Sequence, residues 1–72
     1  MRISQEFFLN VMFSDKVVTI EKAFDDPGVS YTTVLYVFEG DTRIAVLERV
    51  ITKPGTTWEL KEGIYEELRA KI

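Results

Sequence analysis

The sequence predicts an α+β domain, a four-stranded antiparallel β-meander with one C-terminal α-helix packed on one face. Three observations predict it. Residues 29–52, VSYTTVLYVFEGDTRIAVLERVIT, place two arms rich in Val, Ile, Thr, Tyr and Phe on either side of Gly40-Asp41, the make-up of a long β-hairpin. Residues 6–13 and 17–24 each alternate apolar positions across the polar turn Ser14-Asp15-Lys16, as half-buried strands do. Near the C-terminus, Leu60, Ile64, Leu68 and Ile72 recur every four residues, the stripe of an amphipathic helix. The expected layout is a single domain over residues 1–72, with strands at about 6–13, 17–24, 29–38 and 43–52 and a helix at about 57–71.

Residues 1–6 read as a lead-in. In the first strand Phe7, Leu9, Val11 and Phe13 would face inward. A short helix from a Ser4 cap is the alternative, because Phe8, Val11 and Met12 also fit helical spacing. The second strand sets Val18, Ile20 and Phe24 on one face and Thr19 and Glu21 on the other. Asp25-Asp26-Pro27-Gly28 is a turn signal, proline pre-setting φ and glycine supplying a left-handed position.

Glycine at the first loop position is what a type II′ turn requires. With Gly40 and Asp41 as a two-residue loop, Glu39 lies opposite Thr42. An unbroken register then pairs Val37 with Ile44, Leu35 with Val46, Thr33 with Glu48 and Tyr31 with Val50 on a core face. On the other face it pairs Phe38 with Arg43, Tyr36 with Ala45, Val34 with Leu47 and Thr32 with Arg49. A slip of one residue would exchange the faces. Ile44, Leu47, Val50 and Ile51 also fit a helix capped by Asp41, but the β-branched content favours a strand.

Lys53-Pro54-Gly55 ends the sheet. Thr56 and Glu59 have the spacing of a capping box, acids lie early (Glu59, Glu62) and bases late (Arg69, Lys71), as a helix dipole favours. Trp58 reads as a core or staple residue. Gly63 would sit mid-helix at a cost of ~1 kcal/mol, for which close approach to the sheet is the expected reason.

Composition narrows the chemistry. The chain has no cysteine and no histidine, which removes thiolate chemistry, disulfides, the usual general base and the commonest metal ligand. Its net charge of −3 repels phosphate backbones at long range. No secretory signal or span of transmembrane length is present, so a cytoplasmic protein is expected, with no membrane partner. Asp25, Asp26 and Asp41 lack the spacing of a calcium loop. Glu62, Glu66 and Glu67 read as a solvated helix face, and Ser14 and Ser30 have no activating base. No catalytic residue, cofactor or metal is assigned, and the chain reads as a non-enzyme.

A magnitude points to a partner. Four strands make a sheet about 19 Å wide, whereas one helix covers about 10 Å. Both hairpin faces nevertheless carry large apolar residues. A patch of that kind marks a contact site, and Val34, Tyr36, Phe38, Arg43, Leu47 and Arg49 are the candidate interface. Aromatics interleaved with arginine typify interface anchors. The expected function is a non-enzymatic protein–protein interaction module, self-associating as a homo-oligomer, most simply a dimer, and acting as a regulator, inhibitor or accessory subunit on a further protein. Short chains without catalytic groups are common among phage and mobile-element proteins. The alternative is a nucleic-acid-binding protein that stacks bases on Tyr36 beside Arg43, Arg49 and Lys53, which the acidic balance disfavours.

Overall fold

The computed structural model describes residues 1–26 and 30–72, apart from the side chains of Val17 and of residues 24–26. The chain forms a four-stranded antiparallel sheet in meander order with a helix at each end, one of them C-terminal. The α+β class and the antiparallel meander are as the sequence predicts. Two of the elements are not.

The segment expected as the first strand is helix α1, Gln5–Met12. Ser4 decides the matter: its backbone is extended, and its Oγ accepts the Phe7 N–H at 3.0 Å, one of the free donors at a helix start. Phe7, Phe8 and Val11 then share the buried side, while Phe13, an inward position of the expected strand, lies past the end and is 78% exposed. Both periodicities were present in these residues, and the cap selected the helical one.

The strands β1 (Val17–Asp26), β2 (Ser30–Glu39) and β3 (Thr42–Thr52) follow. The turn expected at 25–28 falls partly outside the described residues, with Asp25 and Asp26 at the end of β1. Gly40 has φ +62° and no non-glycine described residue has positive φ, the pattern a type II′ loop needs. Glu39 pairs with Thr42 and Phe38 with Arg43, as the turn dictates. Then the register shifts: Val37 pairs with Ala45, Leu35 with Leu47, Thr33 with Arg49 and Tyr31 with Ile51. Ile44 is the extra residue of a β-bulge. The expected pairs beyond Phe38–Arg43 are each off by one, so every later β3 side chain changes face.

The fourth strand comes from the start of the expected helix. β4, Thr56–Glu62, pairs with β3 from Ile51–Thr56 to Leu47–Leu60, and a second irregularity brings Val46 opposite Glu62. The Thr56/Glu59 capping box does not form. Thr56, Thr57 and Trp58 suit a pleated surface, and Trp58 and Leu60 alternate with Glu59 and Lys61. Helix α2 is the shorter Tyr65–Lys71. Gly63 separates them at φ +104°, a conformation other residues avoid. Of the expected stripe only Leu60 and Leu68 are buried, and Ile64 is 61% exposed. The chain's first residues line the far side of β4, with Ile3 N–H donating to Trp58 O at 3.0 Å and Leu60 N–H to Met1 O at 2.8 Å.

Both helices pack on the same sheet face. Phe7, Phe8 and Val11 of α1 and Leu68 of α2 join Leu35, Val37, Ala45, Leu47 and Leu60 in one core. Phe7 and Tyr65 bridge the helices, ring centroids 4.7 Å apart. A roof of two helices replaces the single helix expected, yet it remains partial. The molecule measures 36 × 21 × 18 Å, and strands of 10 or 11 residues account for the long dimension at ~3.4 Å per residue. Helices of eight and seven residues reach only about 10–12 Å along it. The opposite sheet face has no helix at all among the described residues.

Candidate interaction surface

The bulge sorts the six expected interface residues onto two faces. Val34, Tyr36, Phe38 and Arg43 share the uncovered outer face. Leu47 and Arg49 lie on the helix side: Leu47 is 0% exposed, in the centre of the core, and Arg49 is half-buried beside Phe8. The single surface read from the sequence is therefore corrected, because one inserted residue at Ile44 inverts everything after it in β3.

On the outer face, cross-strand pairing builds rows. Beginning at the hairpin loop, Phe38 pairs with Arg43; next come Thr19, Tyr36, Val46 and Glu62; then Glu21, Val34, Glu48 and Glu59. Val34, Tyr36 and Phe38 are partly exposed. The Arg43 guanidinium lies 5.8 Å from the Tyr36 ring centre and 3.1 Å from a Glu62 carboxylate oxygen. Tyr36 donates its hydroxyl to Glu21 at 3.2 Å. The Glu21 charge, then burial, raises the Tyr36 phenol above its ordinary value, because a phenolate there would face a carboxylate. Thr19, Glu21, Tyr36, Phe38 and Arg43 line a shallow depression of about 360 Å³. The face is thus apolar at its centre, with one arginine toward the loop and a row of glutamates farther along.

On the helix face the corresponding rows are Ile20–Leu35–Leu47–Leu60, of which Leu35, Leu47 and Leu60 are in the core and Ile20 is exposed, and Lys22–Thr33–Arg49–Trp58. Arg49 Nη2 donates to Thr33 Oγ1 at 3.2 Å, and its guanidinium carbon lies 5.4 Å from the Phe8 ring centre. Thr33 is fully buried. Two donors in this row, Arg49 Nε and Trp58 Nε1, are buried without an acceptor. A hydrogen bond from Thr33 and the charges of Lys22 and Arg49 hold the neighbouring Tyr31 phenol below its usual value against the opposing effect of burial. Sequence reasoning missed the row because it needs the bulge at Ile44 and a strand at 56–62 where a helix was expected. The alternation of Trp58 and Leu60 with Glu59 and Lys61 was the available signal for its β4 member.

A second concavity, about 630 Å³, lies between the helices and is lined by residues including Glu6, Asn10, Asp15 and Arg69. Arg69 is already paired with Glu66 at 3.6 Å. Among the described residues, no three acidic side chains gather as a metal site, and no helix is long and apolar enough to cross a membrane.

Residues 1–63 match the model of the phage T4 Cef protein family. Neither a curated protein nor a solved structure matches the chain.

Proposed function

The chain belongs to the phage T4 Cef protein family, and from that premise we propose that it is a small, non-enzymatic protein–protein interaction module of phage type that associates with itself. Its contact surface is the outer sheet face carrying Val34, Tyr36, Phe38 and Arg43. In this reading it works in the cytoplasm as a regulator, inhibitor or accessory subunit. The observation that carries the proposal is the packing of both helices on one face, which leaves partly exposed aromatic and aliphatic side chains on the other.

The charge layout supports a two-fold contact. A two-fold axis running along the Tyr36–Val46 row, in the plane between two facing sheets, lays the Phe38–Arg43 row of one copy over the Glu21–Val34–Glu48 row of the other. Phe38 then meets Val34, and Arg43 meets glutamates. An isologous dimer is self-complementary in this way. The same layout gives no support to a base-stacking platform, since Arg43 and Arg49 lie on opposite faces and Arg43 is engaged by Glu62.

Light scattering on the eluting native chain tests the proposal. A species of twice the 8.3 kDa chain mass is expected at micromolar concentration, and Phe38→Glu should return it to monomer without loss of secondary structure. A monomer that persists to hundreds of micromolar overturns it.

A further inference from the structure

The row Lys22–Thr33–Arg49–Trp58 runs straight across all four strands on the helix face, with Lys22 exposed, Thr33 fully buried and Arg49 half-buried beside Phe8. Among the described residues, four of the chain's nine Lys and Arg side chains are in ion pairs. Arg43, Lys61, Arg69 and Lys71 each pair with a glutamate. Among the described residues, neither Lys22 nor Arg49 pairs with a carboxylate. The flanking rows, Ile20–Leu35–Leu47–Leu60 and Tyr31–Ile51–Thr56, supply none either. Two cations thus share a strip whose described members include no carboxylate, in a chain of net charge −3.

The hydrogen-bonding inventory points the same way. A guanidinium offers five N–H donors and the indole one, and neither group accepts. Thr33 takes one donor of Arg49, while Arg49 Nε and Trp58 Nε1, on directly paired residues, are buried without acceptors. Orphaned donors of this kind forfeit the hydration they had in the unfolded chain, and an entering acceptor relieves that cost. Phe8 and Thr33 hold the guanidinium in place, so little order remains to be gained on binding. We propose that this row is a binding site for a single oxyanion, a carboxylate or phosphate group borne by a small molecule, held by Arg49 and the Trp58 indole with Lys22 adding charge. A nucleic-acid strand is the wrong ligand for it. A phosphodiester chain needs a train of cations, and the reverse side of the same strands bears Glu21, Glu48 and Glu59. The site lies on the face opposite the proposed self-association surface and is independent of it.

Trp58 is the chain's single tryptophan, which gives the test its readout. Inorganic phosphate and acetate are titrated separately into the full chain at constant ionic strength, chloride making up the balance. Trp58 emission and the NMR resonances of Trp58 Nε1–H and Arg49 Nε–H are followed. A saturable change with one midpoint across these signals is expected, and the anion that saturates at lower concentration distinguishes phosphate from carboxylate. Arg49→Lys keeps the charge but loses the fork, and should weaken binding about tenfold. Lys22→Ala, at an exposed position, should weaken it about threefold and serves if Arg49→Lys does not fold. Arg43→Ala on the outer face should leave the midpoint unchanged. Overturning results are the absence of saturation with both anions, an unchanged midpoint in Lys22→Ala and Arg49→Lys alike, or tighter, salt-dependent binding of a single-stranded oligonucleotide than of either anion.

Discussion

Gly63 presses against the Ile44 carbonyl: a Cβ at Gly63 would lie 2.6 Å from that oxygen and 3.1 Å from the Ala45 Cβ. The backbone there also has φ +104°. Gly63→Ala therefore combines a left-handed strain with a collision against backbone, and should cost at least ~2 kcal/mol in urea unfolding. Gly40 has φ +62° but nothing within 4 Å of its virtual Cβ. Gly40→Ala should cost only about 1–2 kcal/mol, the backbone component alone. Equal losses at the two glycines would contradict this account.

Leu47 and Phe38 separate core from surface. Leu47 is wholly enclosed, so Leu47→Ala should lower unfolding free energy by about 2–5 kcal/mol. Phe38→Ala at a partly exposed position should cost the monomer no more than ~1 kcal/mol while weakening self-association. Denaturant curves below the association range, read beside light scattering, check both halves.

Ser4→Ala removes the acceptor for Phe7 N–H and should cost about 1 kcal/mol. Amide exchange should localise the loss to α1, with the β2–β3 amides keeping their protection. Faster exchange spread evenly over the sheet would show that α1 does not open separately.

Residues 5–12 show where sequence legibility ends. The β2–β3 hairpin could be read because its signals are local: β-branched arms, a glycine at the first loop position and two loop residues. The α+β class and the presence of a C-terminal helix were legible too, but the count of four strands came out right only because an unexpected β4 replaced the expected first strand. For α1, the alternation at Phe7, Leu9, Val11 and Phe13 competed with helical spacing at Phe8, Val11 and Met12, and one serine hydroxyl broke the tie. In the C-terminal segment, fourfold spacing of Leu60, Ile64, Leu68 and Ile72 imitated one helix across a strand, a glycine and a shorter helix. The bulge at Ile44 carries no glycine or other sign, so Leu47 and Arg49, two of the six candidate interface residues, were assigned to the wrong side.

Lys71 holds the Glu39 carboxyl below the usual range by a hydrogen bond at 2.9 Å and by its charge. A carboxylate with a depressed folded pKa stabilises the fold above its unfolded value, and that contribution disappears as pH falls through the folded one. Both groups are solvated, so the effect is small. Stability measured from neutral pH down through the acidic range should fall less steeply in Lys71→Met than in the native chain. Parallel curves would show that the pair contributes nothing.

Tyr36 should ionise later than Tyr31 in an alkaline absorbance titration, since Glu21 opposes the first phenolate and Thr33, Lys22 and Arg49 assist the second. Glu21→Gln should move Tyr36 downward and leave Tyr31 in place. A Tyr36 titration unmoved by that change would break the link between the two side chains.

Ile44 makes chain length, rather than side-chain identity, the variable that assigns jobs to the two sides of β3. Deleting this one residue would make Phe38–Arg43 and Val37–Ala45 consecutive pairs, so the strand would lose its kink while Leu47 stayed inside. A single-codon gain between Gly40 and Ala45, with no further bulge to absorb it, would instead turn Leu47 out to water and carry Arg49 around to the glutamates behind it.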